Sequence, residues 1–176
     1  MVGSVLGVTE EEVFDSPTGW VAKHIERYEA SDGADGADGH VYMGVPCLLL
    51  TTRGRRTGKL RRTALMYGQD GGRYLLVASN GGSAAHPAWY LNLTADPDVR
   101  VQVNGERFAA TARTATSEEK ADLWPVVSKA FPTYDRYLKT AAKKGREIPL
   151  IIVERSVERS VERSVERAVE RAVERA

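Results

Sequence analysis

The sequence predicts an α+β domain built on a mainly antiparallel sheet or small barrel, with helices on its flanks. Three observations carry this. Short β-prone runs follow one another through tight turn signals, notably Asp70-Gly71-Gly72 and Asn104-Gly105. Helical spacing is confined to a few stretches: Trp20 to Tyr28, the block after Pro87, and Thr116 to Leu138. Only one short helix separates strands in the middle of the chain, so consecutive strands must pair as neighbours rather than through parallel crossovers.

The 176 residues suit one domain with an appendage, and the net charge of +1 excludes a general nucleic-acid binder. Three regions are expected: 1–39, an N-terminal helix and loop; 40–153, the main domain; and 154–176, a low-complexity tail. Residues 1–15 are acidic and weakly patterned. Trp20, Val21, His24, Ile25 and Tyr28 then fall on one helical face. That face is expected to pack on the domain, with His24 a packed side chain; the alternative sets Trp20 and Tyr28 against a partner or membrane surface. The loop from Ser31 to Gly39 repeats Asp-Gly pairs three residues apart. Calcium loops want acids two apart and a Glu at position twelve, so a metal is not expected here.

His40 to Thr52 reads as a strand, with Cys47, the only cysteine, in its core. Thr63 to Tyr67 continues the sheet, and Arg73 to Ser79 follows the Asp-Gly-Gly hairpin. Asn80-Gly81-Gly82-Ser83 is a glycine turn, and Pro87 opens a helix carrying Trp89, Tyr90, Leu91 and Leu93. Val99, Val101 and Val103 alternate as in a half-buried strand, returning through Asn104-Gly105 to Arg107–Thr114. Thr116-Ser-Glu-Glu119 is a capping box, and Pro125 is expected to kink or end the first segment of its helix. A second segment after Phe131-Pro132 sets Tyr134, Tyr137 and Leu138 on one face. Lys143–Arg146 reads as a basic loop before a last strand, Ile148–Val153. The tail repeats Val-Glu-Arg-Ser three times and Val-Glu-Arg-Ala three times. A period of four drifts about 40° per repeat on a helix, so no straight stripe or heptad forms.

The chemistry centres on the turn between the first two strands. From Arg53 to Arg62 it carries Arg53, Arg55, Arg56, Lys59, Arg61 and Arg62 with no acid among them. Like charges this dense repel, so the turn is suited to meet an anion, and Gly54 and Gly58 free its backbone. Gly54-Arg-Arg-Thr-Gly-Lys59 is one residue short of a phosphate-binding P-loop and lacks the Ser or Thr after Lys. No Gly-x-Gly-x-x-Gly follows a strand, and no Gly-x-Ser-x-Gly elbow is present. Three histidines and one cysteine give no metal spacing. What remains is a basic turn, a glycine turn feeding a helix, and an aromatic block. Without a signal peptide or an apolar run of about 18 residues, a soluble cytoplasmic protein is expected.

Leu49-Leu-Thr-Thr-Arg-Gly-Arg-Arg-Thr-Gly58 with Arg61, then Asp70-Gly-Gly-Arg73, Ala78-Ser-Asn-Gly-Gly82, Pro87-Ala-Trp-Tyr-Leu-Asn-Leu93 with Asp96-Pro97, Trp124-Pro125, and Tyr134 with Tyr137 form one series. Over roughly Trp20 to Val153 the chain resembles the deazaflavin (coenzyme F420)-dependent nitroreductase and quinone reductase family. The resemblance implies a split β-barrel and hydride transfer from reduced F420, an 8-hydroxy-5-deazaflavin, to a quinone, enone or nitro compound. It implies that Arg55, Arg56 and Arg61, with the backbone at Thr57 and Gly58, hold the cofactor's phosphate and acidic tail. Guanidinium forks suit both groups. Met66 and the backbone of Ser79, Asn80, Gly81 and Gly82 would line the ring, with Pro87, Trp89, Tyr90 and Asn92 nearby. Phe131, Tyr134 and Tyr137 would form the substrate face, Tyr134 acting as donor to the acceptor's developing oxyanion.

The sequence departs from the family at four positions: Asn80 stands for a frequent Lys, Leu60 and Ala64 for prolines, and Phe131 for a frequent Tyr. Arg62 is expected to be a solvated charge. Other readings of the same features are an FMN-dependent split-barrel oxidoreductase, a non-catalytic anion- or nucleic-acid-binding module, and a protein that sequesters the cofactor without turnover.

Overall fold

The computed structural model describes residues 10–33, 40–156 and 168–173. Its centre is a nine-stranded sheet in the order β1-β4-β3-β7-β8-β9-β6-β5, with β2 paired to β3 at the side. The strands are β1 (Val13–Asp15), β2 (Val41–Tyr42), β3 (Val45–Arg53), β4 (Leu60–Met66), β5 (Gly68–Asp70), β6 (Arg73–Val77), β7 (Asp98–Val103), β8 (Glu106–Thr114) and β9 (Leu150–Arg155). Every pairing is antiparallel except β1 with β4. Four helices flank the sheet: α1 (Gly19–Ala30), α2 (Ala88–Ala95), α3 (Ser117–Ala130) and α4 (Thr133–Lys143). The fold is thus α+β with a large, mostly antiparallel sheet. The hydrogen-bonded path is open, but β4 and β5 are consecutive in the chain, joined by Tyr67, whose N–H donates to Pro46 O at 3.0 Å.

Period-two alternation sorts the strand residues between two faces. Leu48 and Leu50 of β3, Leu76 of β6, Val99 and Val101 of β7, Ala110 and Ala112 of β8, and Ile151 and Val153 of β9 converge on one core, with Leu93 of α2 at its end. Each fully buried leucine there contributes about 1.5–3 kcal/mol. Leu75, Val77, Leu150 and Ile152 face the other way and are covered by Leu123, Val127, Tyr134 and Ala141 of α3 and α4. Val21, Ile25 and Tyr28 of α1 cover Leu49 and Ala64.

Several expectations are revised. His40–Thr52 is not one strand: Met43 and Gly44, at φ of 51° and 77°, turn it into a β2–β3 hairpin. Pro125 does not end its helix; α3 runs through it. The carbonyl that Pro125 leaves without its N–H belongs to exposed Ala121, where water can serve it. Residues 13–15 form a strand because β4 offers an edge, a tertiary cause invisible in three residues. Tyr28 is fully buried, accepting from Asn104 N–H at 2.8 Å, so it touches no outer surface. Gly33 lies so close to this turn that a Cβ there would meet Asn104 O at 1.9 Å. The last strand takes Glu154 and Arg155 from the first tail repeat. Of the rest of the tail, 168–173 is helical, and the other repeats lie outside the described residues, as does most of the Asp-Gly loop.

Candidate active-site cleft

Gly54–Thr57 and Arg61 of the basic turn and Ser79–Gly81 of the glycine turn line one cleft of about 780 Å³. The basic turn is held by its own backbone: Gly54 N–H donates to Lys59 O and Gly58 N–H to Gly54 O, both at 2.8 Å. Gly58 takes φ of 69°, which suits glycine. Acids from elsewhere in the chain occupy the flanking cations. Arg53 pairs with Glu11 at 2.6 Å and also donates to Gly58 O. Arg62 pairs with Asp15 at 2.6 Å and Glu29 at 2.7 Å, its side chain only 20% exposed, so it is a half-buried ion pair and not the expected solvated charge. The centre of the turn stays available. Arg56 has no partner among the described residues, and Lys59 and Arg61 lie over the Phe14 ring at 4.9 and 5.3 Å.

Asn92 ties the turn to α2. It is buried; its Oδ1 accepts from Arg55 N–H at 3.2 Å and its Nδ2 donates to Thr52 Oγ1 at 3.2 Å. Its position thus fixes the entry to the basic turn.

In the glycine turn, Asn80, Gly81 and Gly82 take positive φ in succession (44°, 63° and 79°). Asn80 Nδ2 donates to Ala85 O at 2.8 Å, holding the turn shut. Gly82 packs on α4, where a Cβ would approach Thr140 Cβ to 3.0 Å. Beneath the turn, Arg146 donates to Ser83 O and Ala78 O at 2.7 and 2.9 Å, and to Ser79 O.

The third wall comes from the α3–α4 junction. Asp135 accepts from Trp124 Nε1 at 2.8 Å and Ser128 Oγ at 2.7 Å, locking α4 to α3. Phe131 packs edge-on to Tyr134 at 5.0 Å. Tyr134 is largely buried, and burial pushes its phenol well above the usual range, so it is neutral and a donor at pH 7. Its hydroxyl has no protein partner among the described residues.

Of the residues singled out in the sequence, Arg55, Arg56, Thr57, Arg61, Met66, Ser79, Asn80, Gly81, Pro87, Trp89, Asn92, Phe131, Tyr134 and Tyr137 line this single cleft. Gly58, Gly82 and Tyr90 stand behind it: Gly58 and Gly82 shape its turns, and Tyr90 packs on the core beside His86 at 4.8 Å. Sequence reading missed Phe14 to Thr18, which form a wall beside the basic turn, and His86, as well as Arg146, which holds the glycine turn from outside the lining. A lone aromatic soon after three acids carries no periodic signal, but His86 stands directly before the marked block that opens at Pro87. Among the described residues no three His, Cys, Asp or Glu side chains gather as a metal site.

Fold and cleft together define an α+β protein with one cleft lined by basic, glycine-turn and aromatic residues. The chain belongs to the F420H(2)-dependent quinone reductase family, whose model matches residues 20–155. It is 39% identical over 126 residues to an F420H(2)-dependent quinone reductase of Mycobacterium tuberculosis, covering 70% of this chain and 83% of the relative. A solved F420-H2 dependent reductase, FDR-A, matches with a TM-score of 0.56 at 39% identity, over 62% of this chain and 94% of that one. A structure described as a domain-swapped dimer matches with a TM-score of 0.59 at 38% identity, over 79% of this chain and all of that one.

Proposed function

We propose that this protein is an F420H2-dependent quinone reductase. The observation that carries the reading is one cleft joining an unpaired Arg56 at a glycine-bounded turn to a flat, aromatic end at Pro87, Trp89 and Tyr134. Those residues fit coenzyme F420: cations for its phosphate and acidic tail, and a glycine turn with no Cβ at Gly81 for close approach of a ring. The reduced deazaflavin supplies the hydride, and the protein supplies position and electrostatics.

Each role belongs to a named part of the cleft. Arg55, Arg56 and Arg61, with the backbone at Thr57 and Gly58, hold the anionic tail. Asn92 keeps Arg55 in place. Met66, Ser79 to Gly82, Pro87 and Trp89 bound the ring. Phe131, Tyr134 and Tyr137 form the face on which a flat acceptor stacks. Tyr134 holds its proton until the acceptor oxygen gains charge, then donates a hydrogen bond or the proton. The convergence of five strands on one core, and the single residue joining β4 to β5, support a split β-barrel.

No described helix is long and apolar enough to cross a membrane. Membrane contact through α1 rests now on Trp20, stacked on Tyr42 at 4.5 Å, beside exposed Val41 and Met43. Sedimentation with liposomes checks this, and equal recovery of wild type and Met43→Ser with Trp20→Ser ends it. For the activity, the purified protein is mixed with F420H2 and a panel of benzoquinones and naphthoquinones. Quinone-dependent loss of F420H2 is expected; none across the panel, with cofactor bound, would recast the protein as a sequestering one.

A further inference from the structure

Arg146 is a buried cation without an acid. It follows the C-terminus of α4, where Gly145 takes φ of 77° and Arg146 N–H returns to Ala141 O at 2.9 Å. The chain thereby turns the side chain back beneath Ala78–His86. It is 6% exposed, and no carboxylate among the described residues pairs with it. Four of its five N–H donors are met instead by Ala78 O, Ser79 O, Ser83 O and His86 Nδ1, the last at 3.2 Å from Nη1. Carbonyl dipoles solvate a guanidinium but do not cancel its charge.

Two consequences reach the cleft. In a trans peptide the C=O and the next N–H point in opposite directions. Binding Ala78 O and Ser79 O therefore turns the N–H groups of Ser79 and Asn80 away from Arg146. Neither has an acceptor among the described residues, and both residues line the cleft. Arginine is only a donor, so His86 Nδ1 must accept, and the proton of the neutral ring sits on Nε2. Burial, then the Arg146 charge, lower the His86 pKa, so the ring is neutral at pH 7.

We propose that Arg146 is a positioning residue that biases the ring end of the cleft toward the anionic form of a flat, ionisable ligand, through the amides of Ser79 and Asn80, His86 Nε2–H and its own uncompensated charge. The inference rests on the deazaflavin reading, since the 8-hydroxyl of that ring is its ionisable edge. Other ionisable groups of the cleft act differently. Asp15 and Arg62 neutralise each other, Arg56 and Arg61 belong to the basic turn, and Tyr134 is a neutral phenol.

The test follows the ring absorbance of oxidised F420 against pH, free and bound to wild type, Arg146→Lys and Arg146→Met. The wild-type complex is expected to ionise about one pH unit below the free cofactor, a tenfold bias, and Arg146→Met to return most of it. Arg146→Lys keeps a charge and should fall between. In the ligand-free protein, NMR should find His86 as the Nε2–H tautomer titrating below 6.5, its midpoint rising in Arg146→Met. An unshifted midpoint in the wild-type complex overturns the proposal whether or not the variants fold. A midpoint unmoved by Arg146→Met overturns it as well. Failure of wild type to bind F420 at all overturns the cofactor reading together with it, and is told apart by the absence of any complex.

Discussion

In the basic turn, six cations sit within ten consecutive residues, and the fold's task is subtraction. Glu11 quiets Arg53, and Asp15 with Glu29 quiet Arg62, which leaves Arg55, Arg56, Lys59 and Arg61 without an acidic partner among the described residues. Around the glycine turn, Ser79–Gly82, Phe131–Tyr137 and Arg146 lie far apart in sequence, and the fold's task is assembly. There α4 docks on α3 through Asp135, and Arg146 reaches back under a turn more than sixty residues upstream. The difference teaches where charge is used. The basic turn presents exposed guanidinium forks at the surface, while the glycine turn rests on a single buried charge that fixes its backbone carbonyls.

That contrast can be broken at either end. Replacing Arg56 and Arg61 together by Ala should weaken cofactor binding by about 3–6 kcal/mol, since hydrogen bonds to charged groups contribute about 1.5–3 each. Fluorescence titration measures it, and an unchanged affinity removes the basic turn from the site. Tyr134→Phe should lower turnover at least tenfold, within the range of one lost general acid, with affinity nearly kept. Steady-state kinetics beside cofactor titration would assign Tyr134 to the cofactor wall if affinity fell instead. Arg62→Ala is the control between the two ends. It breaks a partly exposed pair, so denaturant unfolding should show a loss of about 1 kcal/mol while cofactor affinity stays the same.

The smallest expected effect lies outside the cleft. His24 is buried with its Nε2 unpartnered, and burial, then Arg27 and His40, lower its pKa. The unfolded chain then binds the proton more readily than the native one. Stability should be full above about pH 6.5 and decline as pH falls below it. Thermal melts from pH 7.5 to 5 should show this slope, and His24→Phe should flatten it.

Contiguous features were legible in the sequence. The basic turn, the Asn80–Gly82 turn and the Pro87–Leu93 helix each carry their signal within a few residues, and the alternation Val99, Val101, Val103 fixed both strand and core face. Pairings across the chain were not legible. Nothing near Arg53 or Arg62 marks them as quenched, because Glu11 and Asp15 arrive through a strand of three residues that exists only as an edge to β4. Arg146 stood among lysines in a run that reads as a solvated loop; only the turn at Gly145 sends it inward. From sequence, Tyr28 is expected to pack on the domain with an outer surface as the alternative, because helical spacing gives a face but not what covers it.

The central claim is that one cleft holds the anionic tail at the basic turn and the ring at the glycine turn. Its most direct measurement is equilibrium binding of oxidised F420 and of FMN to wild type and to the Arg56→Ala, Arg61→Ala double variant. Tighter binding of F420 than FMN by the wild type, with most of that preference lost in the double variant, is the predicted result. FMN binding more tightly, or a preference for F420 that survives the loss of both arginines, would contradict it.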